Sequence, residues 1–82
     1  MENQFKLYMQ VQLAKPLPEY HFEPGDVATI VEIVKDKQNN TGYVLEFFDQ
    51  HGHTLQVAAV AEDHITLPPE HAIVNYRPYQ AA

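Results

Sequence analysis

The sequence predicts an all-β fold, a small barrel of about five antiparallel strands with a proline-rich loop after the first strand. Three observations predict it. Apolar and polar residues alternate strictly near the start, Pro24-Gly25 forms a turn that launches a long β-branched run, and two further β-prone runs follow across short polar loops.

Phe5, Leu7, Met9, Val11 and Leu13 alternate with Lys6, Tyr8, Gln10 and Gln12, the period-two pattern of a half-buried strand preceded by a frayed start at residues 1–4. Lys, Leu, Met and Gln are also good helix formers, but this spacing would put apolar residues all round a helix. Residues 14–23 carry Pro16 and Pro18, with Pro24 just beyond, and read as an ordered loop of polyproline character with no helix and no interior strand. At the turn, Pro24 sets the φ wanted at the second position and Gly25 takes the positive φ of the third position of a type II turn. From about Asp26, Val27, Thr29, Val31 and Ile33 share one face and Ala28, Ile30, Glu32 and Val34 the other, which reads as a central strand buried on most of both faces.

Residues 36–42 are polar and turn-forming, and Tyr43-Val44-Leu45-Glu46-Phe47-Phe48 completes a hairpin. Residues 49–53 then lead to a strand whose apolar face is read as Leu55, Val57, Ala59 and Ala61. Glu62-Asp63-His64 fits one helical turn, after which Ile65 and Leu67 return to the core and residues 72–77 offer a last short strand. A meander this short protects its edges best by curling into a barrel. The expected core is Leu7, Met9, Val11, Val27, Ile30, Val31, Ile33, Leu45, Phe47, Leu55, Val57 and Ile65. One domain spanning residues 1–82 is expected, with its core at about 5–67 and an extension at 68–82.

Composition narrows the function. A chain of 82 residues buries only roughly 60% of its unfolded surface, which leaves little room for an internal active-site cavity. Five basic residues against eleven acidic ones give a net charge of -6, which repels nucleic-acid phosphates. Lys35 and Lys37 flank Asp36 in a solvated loop. There is no cysteine, so no disulfide and no cysteine zinc site, and no apolar stretch long enough to span a bilayer; a cytoplasmic protein is expected. The chain contains no serine, no phosphate-binding glycine loop and no nucleophile and base at a recognisable spacing. No catalytic residue and no cofactor are expected.

At this point four runs carry a resemblance: Leu17-Pro18-Glu19-Tyr20, Gly25-Asp26-Val27-Ala28-Thr29-Ile30-Val31-Glu32, Tyr43-Val44-Leu45-Glu46-Phe47 and Gly52-His53-Thr54-Leu55. From about Val11 to Leu67 the chain resembles a family of small bacterial proteins known as domain of unknown function 4926. The resemblance implies an SH3-like barrel. Ala28 stands where the family usually has glycine and Pro24 where it usually has lysine, departures that bear on turn geometry rather than on fold. Some members are encoded beside larger toxin-like proteins, which makes an antitoxin or immunity-like role the implied one. The family brings no catalytic residue.

The residues offer three further leads. His51 and His53, two apart and near Asp49, are the candidate metal ligands, weak ones because a third ligand is unspecified and a hairpin turn explains the same residues. Glu32 and Glu46 sit in otherwise apolar strands; as cross-hairpin neighbours they would raise a carboxyl pKa, whereas on a wet face they are ordinary. Tyr8, Tyr20, Tyr43, Tyr76 and Tyr79 are the candidate binding residues, amphipathic rings that line peptide-binding loops in small barrels, with acids selecting a basic partner. The expectation is a non-catalytic protein-interaction module. A nucleic-acid or ribosome-associated barrel and a small metal-dependent enzyme are the alternatives.

Overall fold

The described residues of the computed structural model are 5–81; the expected frayed start at 1–4 lies outside them. Five strands form one antiparallel sheet: β1 (Gln10–Leu13), β2 (Val27–Lys35), β3 (Thr41–Phe48), β4 (Thr54–Ala61) and β5 (Ile65–Thr66), in the order β4-β3-β2-β1-β5. The sheet curls into the half-barrel expected of a small SH3-like fold, with β5 returning to pair with β1 at Leu13↔Ile65. Its concave face carries Val11, Leu13, Ala28, Ile30, Tyr43, Leu45, Phe47, Ala58, Val60 and Ile65, closed over by Phe5, Leu17 and Phe22 from outside the strands.

The Pro24-Gly25 turn forms as the two residues demand. Gly25 has φ 93° and Asp26 N–H donates to Glu23 O at 3.1 Å, closing a four-residue turn with glycine at its third position. β2 then runs nine residues, but only Ala28 and Ile30 are buried; Val27 and Val34 face solvent and Val31 and Ile33 are half-buried. The strand is central in the sheet, yet the sheet is a single curled layer, and among the described residues no second layer covers its convex side. A register shift between Ile30 and Glu32 bends it round the core.

β1 is shorter than the alternation predicts. Tyr8 has φ 66°, the left-handed region, so the extended run is broken at Leu7 and Tyr8 and Leu7 turns out to solvent. Phe5 nonetheless reaches the core, where its ring meets Tyr43 edge-on at 5.5 Å. β4 shows the opposite face from the one expected. A register shift between Phe47 and Phe48 moves its pairing by one residue, so Ala58 and Val60 are buried, Val57 is exposed and Leu55 is half-buried. Phe47 is buried and Phe48 is not, as the core reading required.

The loop at 14–26 is not wholly irregular. Pro18–Tyr20 makes a 3-10 turn, which accepts proline at its first position because that N–H would lack a partner anyway. Leu17 and Phe22 exchange backbone hydrogen bonds of 3.0 and 3.1 Å across it, and both side chains are thereby turned inward. Glu62–His64 forms the expected single turn, and Ile65 is buried after it while Leu67 is exposed. No strand follows β5 among the described residues, so the last strand expected at 72–77 is absent there.

The two hairpin loops are built alike. Asp36 Oδ1 accepts the N–H groups of Gln38 and Asn40, each at 2.9 Å, and Asp49 Oδ1 accepts those of His51 and His53, also at 2.9 Å. The fourth loop residue is left-handed in both, Asn39 at φ 66° and Gly52 at φ 83°. These N–H groups stabilise the ionised carboxylates, and both pKa values are held below the ordinary 3.8.

Phe47→Ala removes a buried ring from the centre of this core and should cost about 3–5 kcal/mol, a large share of the stability of a small domain, as urea denaturation will measure. Normal melting of that variant would show that β3 faces the other way.

Because Asp36 and Asp49 are depressed on folding, the stability they contribute is complete above about 3.8 and is lost as pH falls through their folded values. The melting temperature of the wild type should therefore drop between about pH 5 and about pH 2, and Asp36→Asn with Asp49→Asn should flatten the drop. Parallel curves for the two proteins would contradict the capping role.

Candidate functional site

The site grows from the loop between β1 and β2. Once Leu17 and Phe22 are pulled inward, the Phe22 ring stacks on Phe47 with centroids 3.9 Å apart and planes 13° from parallel. On its other face lies Tyr79 of the carboxyl-terminal segment, 4.9 Å away and 12° from parallel. A column of three rings thus runs from the core outward through the loop to the tail. The Tyr79 hydroxyl donates to Tyr20 O at 2.7 Å.

Arg77 fixes the same segment by charge. Its Nε donates to Asp26 Oδ1 at 2.9 Å while its terminal nitrogens reach Asp26 Oδ2, Glu23 Oε2 at 3.1 Å and His21 O at 3.1 Å. Asp26 also accepts the Glu23 N–H at 2.7 Å, so the turn itself holds the carboxylate for the fork. The Asp26 carboxylate, and then that of Glu23, push the guanidinium pKa further up. The Asp26 side chain is 19% exposed and that of Arg77 37%, a partly desolvated pair rather than a free surface one.

Between this strap and the sheet lies an open groove of about 410 Å³, with Phe22, Phe47, Phe48 and Leu55 on one side and Val74, Tyr76, Arg77 and Tyr79 on the other. A second hollow of about 490 Å³ is lined by Pro16, Pro18, His21, Glu23, Pro78 and Gln80.

Of the five candidate tyrosines, three gather here: Tyr76 and Tyr79 line the groove and Tyr20 is bonded to Tyr79. The other two do not. Tyr8 projects into solvent beside the backbone turn before β1. Tyr43 is fully buried, so it is a core residue and not a binding ring; its hydroxyl finds no hydrogen-bond partner among the described residues, and burial, then the nearby Glu62 carboxylate, push its pKa up.

His51 and His53 belong to the second hairpin loop, where Asp49 is engaged with their own N–H groups and His53 Nδ1 lies 3.2 Å from its other oxygen. Among the described residues no three His, Cys, Asp or Glu side chains gather to hold a metal ion. Glu32 and Glu46 do not face each other across the hairpin: Glu32 lies opposite Val44, and Glu46 lies between Thr29 and Val57 and accepts the Thr54 hydroxyl. Arg77, which anchors the tail to the loop, is the residue of this candidate site that sequence reading does not find. It is the only arginine in the chain, and that solitude beside Pro78-Tyr79 was its one signal.

No curated protein and no solved structure matches the chain. A family model does, over residues 7–67, the barrel without the strap, and its description is a domain of unknown function. With most of its length so matched, and with the curled five-stranded sheet found, the chain belongs to the family called domain of unknown function 4926.

Proposed function

We propose that the chain is a non-catalytic protein-interaction module whose partner is a basic protein, with an antitoxin or immunity-like role as its biological form. One observation carries the reading: Ile73, Val74 and Tyr76 are 85%, 78% and 77% exposed, yet they stand in a segment that Arg77 and Tyr79 hold against the barrel. A held, exposed apolar run at the lip of a groove marks a contact surface, since water gains nothing from it and a partner does. Val27 and Phe48, both partly exposed, continue the patch onto the sheet.

The net charge of -6 supports the choice of partner, because it speeds encounter with a basic protein and opposes binding to nucleic-acid phosphates. The absence of cysteine fits a reducing, cytoplasmic setting.

Affinity capture from the native cell supplies the partner, and stopped-flow kinetics test the surface. Association should slow at least about tenfold between about 50 mM and about 500 mM salt, with dissociation changing less. Tyr76→Ala should raise the dissociation rate about tenfold while leaving the domain folded. Kinetics indifferent to salt and to this substitution would reject the surface. Turnover of a small substrate by the isolated chain, or a salt-steep complex with RNA, would reject the module.

A further inference from the structure

The tail displays what the loop between β1 and β2 accepts. Arg77 places its fork on two carboxylates and one carbonyl, and two residues later Tyr79 lays its ring on Phe22. Pro78 between them faces the hollow beside Pro16 and Pro18, and Gln80 O lies 2.9 Å from His21 Nδ1. Among the described residues, the backbone of 67–81 makes no hydrogen bond to the backbone of the barrel. The strap is therefore held by side chains and by one carbonyl, and lifting it breaks no sheet ladder.

Resting on the reading of the chain as an interaction module, we infer that this loop is a binding site for an extended basic segment of the partner protein, carrying an arginine followed two residues later by an aromatic, and that in the free protein residues 77–80 occupy the site as an internal competitor, while the apolar run at 73–76 stays beside it as the rest of the contact surface. Arginine is selected over lysine because Asp26 meets Nε and a terminal nitrogen side by side, a geometry that a point charge cannot match. The aromatic is selected because Phe22, itself backed by Phe47, offers a flat face at a fixed distance from Asp26. Tethering gives the tail an effective concentration in the millimolar range, so the tail sets a threshold that a partner segment must exceed.

The test uses the full chain and a fluorescein-labelled peptide with the sequence of residues 72–82. Fluorescence anisotropy should show the Arg77→Ala, Tyr79→Ala variant binding the peptide at least about tenfold more tightly than the wild type, because the competitor is gone. Lysine in place of the peptide's arginine, or Asp26→Asn in the variant, should remove most of that binding. A folded variant that binds no better than wild type, or that tolerates both changes, overturns the inference. Should the variant not fold, excess unlabelled peptide is added to the 15N-labelled wild type. Tyr79 and Gln80 resonances should then move to free-tail positions, and their staying fixed at saturating peptide overturns the inference as well. A natural partner that binds with salt-steered kinetics but ignores Asp26→Asn overturns this site while leaving the module reading intact.

Discussion

The ring of Phe22 is the joint on which this small protein is assembled. One face lies on Phe47, which belongs to the barrel core, and the other lies under Tyr79, which belongs to the tail. A five-stranded sheet of this size leaves one side of its concave face open, and the loop between β1 and β2 closes it by inserting Leu17 and Phe22. The same insertion orients the Pro24-Gly25 turn, because the chain leaves Phe22 directly into Glu23, and the turn in turn presents Asp26. Core closure and the anchoring of Arg77 therefore share one short segment. A change that loosens Phe22 would disturb both.

Much of the fold was legible because turn chemistry and β-branching pointed the same way. Pro24-Gly25, the two aspartate-capped loops and the runs at β2, β3 and β4 fall where residue type demands. Facing was less legible. In β4, Leu55, Val57, Ala58, Ala59, Val60 and Ala61 make both sides apolar, so alternation had nothing to decide, and the register shift beside Phe48 chose Ala58 and Val60. In β1, a regular alternation ran straight through Tyr8, whose left-handed backbone no hydropathy pattern records. Phe22, buried from within a proline-rich loop, was equally hidden, since a loop residue declares its burial only through contacts distant in sequence.

The site divides in the same way. Tyr20, Tyr76 and Tyr79 were legible as aromatic residues flanking proline-rich segments, and they do converge. Tyr43 looked no different by type, yet its place on the inward side of β3 makes it core. Arg77 pairs with Asp26 across 51 positions of sequence, a contact that local reading does not reach. His51 and His53 lie in a loop that Asp49 caps through their backbone N–H groups, and because Asp36 builds the same loop without a histidine, its shape does not depend on the imidazoles.

Protein NMR on the intact chain tests the central claim, that Tyr79, Phe22 and Phe47 form one column joining tail to core. Stacked rings should shift the Tyr79 and Phe22 ring protons upfield and give ring-to-ring nuclear Overhauser effects between them, both lost together in Phe22→Leu while the β2–β3 hairpin resonances persist. Tyr79 resonances at random-coil positions in the wild type, without contacts to Phe22, would contradict the account.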